Sequence, residues 1–160
     1  MLEGFHATVM LVWSVILVAL AGLLTGPEAS WVWPVKHSHA VVRPFDAPDS
    51  PWGAGHRGID LVASKGDRVI APVSGTIHFS GRVVNRGIIT IKTDEGHLVS
   101  IEPVVATITG GSVRAGEPIG TVGSGHCQGG CLHIGLRVGG EYRSPAAELG
   151  VLCRAVLVEH

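Results

Sequence analysis

Hydrophobic positions fall into three regimes along the chain. From Ala7 to Leu24 they run almost unbroken, ATVMLVWSVILVALAGLL, with no charge and no proline, and Thr25, Gly26 and Pro27 follow as residues that end a helix. A run of 18 residues is longer than a signal-peptide core and slightly shorter than the roughly 20 residues that span a bilayer. Two expectations therefore stand side by side, a signal peptide over residues 1–29 or an N-terminal membrane anchor at 7–24, each as an apolar helix. Residues 30–51 read differently: Trp31, Trp33, Pro34, Pro44, Pro48 and Pro51 interrupt any periodicity apart from a short extended run at 40–44. This predicts an arm laid over a core. From residue 52 to 149 short runs rich in Val, Ile and Thr alternate with glycine, at 68–71, 76–80, 88–93, 97–101, 119–122 and 132–138. Runs this short, bounded by turn residues, are strands. Asp94-Glu95-Gly96 between two of them predicts a hairpin loop with Gly96 at positive φ. The even spacing argues for an antiparallel barrel or sandwich rather than βαβ units. Past residue 30 the sole helical candidate is one turn at 145–149, with Pro145 at an allowed first position. The predicted fold class is all-β, a compact antiparallel sheet core, followed by a C-terminal tail at 150–160.

Composition excludes several classes of function. Glycine takes 23 of 160 positions and charged residues only 16%, against about 7% and 25% in an average domain, which excludes a disordered chain and a long helical bundle. Twelve Lys and Arg against 13 Asp and Glu give a net charge of −1 without a basic cluster, so nucleic acid is not an expected partner. Export through the first segment would place the rest in an oxidising compartment, secreted or associated with the cell envelope. There Cys127 and Cys131, four apart in GHCQGGCLH, could close a small disulfide loop and leave Cys153 over.

Candidate chemistry gathers at two motifs. His56 and Asp60 stand four apart in GAGHRGIDL, and His133 stands in CLHIGLR, where a period of two puts Cys131, His133 and Gly135 on one face and Leu132, Ile134 and Leu136 on the other. Two imidazoles and a carboxylate with an open fourth position would make a catalytic zinc site. The competing reading of such residues is ordinary solvated polarity.

Here the sequence resembles a known family. GHRGIDL, then VIAPVSGTI and VRAGEPIGTVG, then CLHIGLR, in that order, look like the M23 zinc metallopeptidases, the lysostaphin-type cell-wall endopeptidases; the resemblance covers roughly residues 52–147. It implies a compact antiparallel β core with a groove, zinc held by His56, Asp60 and His133, and peptidoglycan cross-links as substrate. The sequence departs from the family at its two catalytic histidines. The first His of the family's H-x-H falls on Cys131, and the position of the other falls on or beside Glu102 in Ser100-Ile101-Glu102-Pro103. An imidazole general base contributes about 100-fold to 10,000-fold in rate. Three readings stay open: Glu102 acts as general base; Glu102 or the Cys131 thiolate closes the metal's fourth position; or Cys131 is bonded to Cys127 and His126 stands in near the metal. The disulfide is favoured, because cysteines so close in an exported chain rarely stay reduced.

Other residues carry less. His37, His39, His78, His97 and His160 read as surface histidines, and Trp31, Trp33 and Trp52 as packing rather than sugar-stacking residues. Arg57 and Arg137 flank the proposed ligands and could hold a substrate carboxylate or simply be solvated. Gly123-Ser124-Gly125 lacks the Lys and helix of a phosphate loop. VIAPVSGTI and VRAGEPIGTV also resemble biotinyl- or lipoyl-carrier strands, but Lys65 and Lys92 lie in neither the expected sequence nor the expected turn. The expected function is therefore an exported zinc endopeptidase acting on peptidoglycan, with a non-hydrolytic wall-binding or regulatory module as the alternative.

Overall fold

A computed structural model of the chain describes residues 30–36, 39–50, 52–127 and 130–151. The apolar run at 7–24, His37, Cys153, His160 and nearly all of the tail lie outside them. Among the described residues every regular element is a strand: β1 (Val41–Arg43), β2 (Ile59–Val62), β3 (Arg68–Ile70), β4 (Gly75–Val83), β5 (Arg86–Lys92), β6 (Leu98–Glu102), β7 (Val104–Ala106), β8 (Ser112–Val113), β9 (Pro118–Val122), β10 (Cys131–Val138) and β11 (Glu141–Arg143). They form an eight-stranded sheet, ordered β1-β2-β10-β6-β5-β4-β8 with β11 beside β10, and a three-stranded sheet ordered β3-β9-β7. All pairings are antiparallel.

The six predicted runs all become strands, with ends moved by up to three residues. Four short elements lie outside the predicted runs: β2, which carries part of the GHRGIDL motif, and β7, β8 and β11, which are two or three residues long. The turn at 94–96 connects β5 to β6, closed by Thr93 and His97 and with Gly96 at φ +84°. The segment at 145–149 is a set of hydrogen-bonded turns, with Val151 N–H donating to Ala146 O and Gly150 N–H to Ala147 O, rather than a helix. Five residues offer too few intrahelical bonds to offset the cost of nucleation.

The core lies on one face of the large sheet. Ile59 and Leu61 of β2, Ile89 and Ile91 of β5, Val99 and Ile101 of β6, and Leu132 and Ile134 of β10 are all fully buried, and Val69, Val104, Ile119 and Val122 of the small sheet join them. Each large aliphatic side chain so buried contributes roughly 1.5–3 kcal/mol. Trp31 and Val35 are buried in this core, and backbone bonds run from Trp31 to Glu148, Val32 to Pro72 and Ile70 to Pro34. Trp33 stacks on His39 at 4.5 Å, whereas Trp52 is 95% exposed. The other face of the large sheet, opposite the core, carries the polar residues of β2, β10 and β6.

Candidate metal centre and groove

Strand register assembles the site. Antiparallel pairing sets His133 of β10 directly opposite Asp60 of β2 on one side and Glu102 of β6 on the other. Residues directly opposite share a sheet face, so Asp60, His133 and Glu102 form a row across three strands. His56 enters from the loop before β2, held by backbone bonds to Asp46 in both directions. His126 comes from the loop between β9 and β10, which the Cys127–Cys131 disulfide closes at a Cα separation of 5.7 Å.

Four side chains converge: His56, Asp60, His126 and His133 each offer a donor atom, all within 4.8 Å of one another. Asp60 Oδ1 alone faces three imidazole nitrogens, His133 Nδ1 at 2.7 Å, His126 Nε2 at 3.0 Å and His56 Nε2 at 3.1 Å. His56 Nδ1 lies 2.7 Å from the Pro44 carbonyl, which can only accept, so Nδ1 carries a proton, and in the neutral form of a metal ligand the lone pair of Nε2 would face Asp60. Two acceptors at 3.1 Å repel unless a proton or a cation lies between them. The set of imidazoles and a carboxylate thus fits a divalent metal of the zinc type. Burial pushes the Asp60 carboxyl up, but the hydrogen bonds and positive potential of His126 and His133 outweigh it and hold the group well below the usual carboxylate range. It is therefore ionised, as a ligand must be.

Glu102 sits at the edge of this cluster. Its Oε1 is 3.6 Å from His126 Nδ1, and its Oε2 is 3.0 Å from Arg86 Nε. The Glu102 carboxylate in turn raises the pKa of Arg86. The sequence reading missed Arg86, although the hairpin turn at 94–96 carries the signal: it sets Ile89 against Ile101, hence residue 88 beside Glu102 and Arg86 two residues along the same face. Cys131, buried and disulfide-bonded, presents no thiolate, and the second possible donor group, Asp60, His126, Cys127 and Cys131, has both sulfurs engaged in that bond.

Gly58 makes the row possible. A Cβ there would fall 2.2 Å from the Ile134 carbonyl oxygen and 2.6 Å from His133 Nε2. Only glycine lets the loop after His56 pass this close to β10.

The family model for peptidase family M23 matches residues 54–145. The chain belongs to peptidase family M23. An uncharacterized protein of Mycobacterium tuberculosis is 40% identical to it over 111 residues, covering 67% of this chain and 45% of that protein. The murein hydrolase activator NlpD of Escherichia coli is 29% identical over 124 residues, covering 74% and 31%. The catalytic domain of lysostaphin from Staphylococcus simulans superposes with a TM-score of 0.59 at 21% identity, over 69% of this chain and 92% of that one, a likeness of fold. This M23 chain spans less than half the length of the curated relatives it matches. Within the family, this chain carries an altered set of residues where the catalytic histidines stand.

Proposed function

We propose that this chain is an exported zinc metalloendopeptidase of the cell envelope that hydrolyses peptide bonds of peptidoglycan. In this reading residues 1–29 direct export or anchor the chain, 30–51 brace the core and 52–149 carry the site. The observation that carries it is the convergence of three imidazole nitrogens on Asp60 Oδ1 beside an open groove. His56, Asp60 and His133 would hold zinc, which when bound polarises a substrate carbonyl and acidifies an attacking water.

His126 takes the place of the missing catalytic imidazoles. One ring nitrogen points into the cluster and the other toward Glu102, the arrangement of a base oriented by a third group. Glu102, with one oxygen toward Arg86 and the other toward His126, orients that ring rather than taking the proton itself. With Asp60 engaged by a metal instead of the His126 Nε2–H, and the ring proton on Nδ1 toward Glu102, His126 would accept a proton from water at Nε2 and return it to the leaving amine. The disulfide holds the loop that presents it.

A second reading has its own support: His126 Nε2 lies as near to Asp60 Oδ1 as His56 Nε2 does, so His126 would serve as a fourth ligand in a closed, non-hydrolytic site of a wall-binding or activating module. One variant separates the two. In purified protein with about one zinc per chain by elemental analysis, His126→Ala is expected to keep the metal and lose release of soluble peptidoglycan fragments by about 100-fold. Loss of zinc from that variant, with wild-type protein that releases no fragments, would establish the closed site instead.

A further inference from the structure

Two sets of donor atoms overlap at Asp60. One is His56, Asp60, His126 and His133; the other is Asp60, His126, Cys127 and Cys131, whose donor atoms also lie within 4.8 Å of one another. The proposed hydrolysis draws on the first set alone. The disulfide keeps the second out of use, because a bonded sulfur offers a metal no thiolate.

The fold places both sulfurs by means other than the bond between them. Cys131 opens β10, pairs with Val62 of β2 and is only 2% exposed, so the ladder fixes its backbone. Alternation puts its side chain on the face that carries His133. Gly130 takes φ +97° and passes so close to the end of β2 that a Cβ there would fall 2.5 Å from the Ala63 carbonyl oxygen. Cys127 follows His126 directly, and its sulfur lies 3.8 Å from Asp60 Oδ2, whereas the three imidazoles all face Oδ1. The carboxylate thus turns one oxygen to the imidazoles and the other to the sulfur.

From this arrangement we propose that reduction of the Cys127–Cys131 bond opens a second divalent-metal site, made of the two thiolates, His126 and Asp60, which competes with the first for a single ion. Cysteines four apart, joined by an imidazole and a carboxylate, form a zinc-type set, and thiolate sulfur selects zinc over magnesium or calcium. Asp60 and His126 belong to both sets, so the two cannot be filled together. Four protein donors leave no open position, and the reduced site is of the closed kind.

The redox step is thiol–disulfide exchange with a dithiol reductant. A hollow of about 210 Å³, lined by Ser64, Lys65, Ser124, His126 and both cysteines, gives it access. A reductant thiolate attacks the sulfur of Cys127, the less buried of the two, and the S–S bond breaks with its electron pair leaving on Cys131. The second reductant thiolate then attacks the reductant sulfur of the mixed disulfide and releases Cys127. The protein gains two electrons, the reductant departs as a disulfide, and its two protons pass to the cysteines. Metal binding releases those protons to water. The sulfur site rests on the proposed metal centre only in sharing Asp60 and His126 with it.

Cobalt(II) titration of the full chain tests the proposal, because thiolate ligation gives that ion an intense charge-transfer absorption in the near ultraviolet. The protein is titrated as oxidised and after reduction by dithiothreitol, which is removed by anaerobic desalting. Both forms are expected to take up about one cobalt per chain, with the sulfur band in the reduced form alone. Cys153→Ala is expected to keep the band, and replacement of Cys127 and Cys131 together by serine to abolish it. His133→Ala dismantles the first set alone, so it is expected to lose cobalt when oxidised and to regain it, with the band, when reduced. Circular dichroism reports that each variant is folded. No band in folded, reduced wild type, its loss in Cys153→Ala, its persistence in the double serine variant, a reduced His133→Ala that takes up no cobalt, or two cobalt ions per reduced chain overturns the proposal. Oxidised protein that binds cobalt, with no band on reduction, overturns the sulfur site and leaves the proposed function standing. Oxidised protein that binds none, with the band on reduction, supports the sulfur site and overturns the metal centre of the proposed function.

Discussion

At the scale of single residues, the site depends on a few contacts that tolerate no substitute. His133 is the middle of the Asp60–His133–Glu102 row, so His133→Ala removes one donor and leaves Asp60 Oδ1 with two imidazoles in place of three. Zinc content of the purified protein is expected to fall well below one per chain, and unchanged content would remove His133 from the ligand set. Glu102 has a different role. Glu102→Gln keeps a polar atom near His126 but loses the charge, so zinc is expected to stay while hydrolysis drops; full activity in that variant would show that Glu102 does not orient the base. Gly58 is a steric condition rather than a chemical one. Gly58→Ala places a methyl 2.2 Å from a backbone carbonyl, an overlap that overpacking data put at about 1–3 kcal/mol of lost stability. Urea unfolding measures that loss, and elemental analysis is expected to show the metal lost with it.

At the scale of elements, the loop between β9 and β10 is the part of the site least supported by strands. His126 is only partly buried, and the Cys127–Cys131 bond ties its loop to the first residue of β10. Closing so small a ring contributes about 2 kcal/mol by the chain-entropy relation. Replacing both cysteines with serine is therefore expected to leave the sheet folded, as judged by circular dichroism, while lowering hydrolysis through a wandering His126. Activity equal to wild type would mean that the loop keeps its shape without the bond. β2 and β10 behave oppositely: their inward faces carry Ile59, Leu61, Leu132 and Ile134, all fully buried. The rigidity of the candidate metal centre is inherited from that packing.

At the scale of the whole molecule, pH acts on stability through the candidate metal cluster, and a metal held there would act through the same residues. The folded Asp60 carboxyl has a pKa held below its ordinary range. Below about pH 4 the unfolded chain thus binds a proton that the folded chain resists. The contribution is complete above that pH and is lost as the pH falls through the folded value. Metal-free protein is expected to show a falling urea midpoint below about pH 4, flattened in Asp60→Asn; an unchanged profile in the variant would assign acid sensitivity elsewhere. A bound metal at 100 times its dissociation constant adds about 2.7 kcal/mol, so chelation is expected to lower the melting temperature of wild type and leave that of His133→Ala unmoved.

How much of this was legible in the sequence differs by feature. The alternation of Leu132, Ile134 and Leu136 with Cys131, His133 and Gly135, and the turn at Gly96, depend on interactions a few residues apart and so are written locally. They predict the strands, the hairpin and the all-β class that the structure shows, and the order of M23 motifs predicts the family. β7, β8 and β11 were not legible, because elements of two or three residues are set by their partners rather than by their own pattern. The same holds for the site. The sequence by itself names His56, Asp60 and His133 as candidates from their motifs, and the resemblance to the M23 family adds Glu102 and His126. Only the tertiary structure decided that Asp60 faces three imidazoles at once, that Arg86 pairs with Glu102, and that Arg57 and Arg137 meet on Tyr142. Those contacts join residues up to 85 positions apart in the chain, and sheet register and packing, not local propensity, choose which side chains share a face.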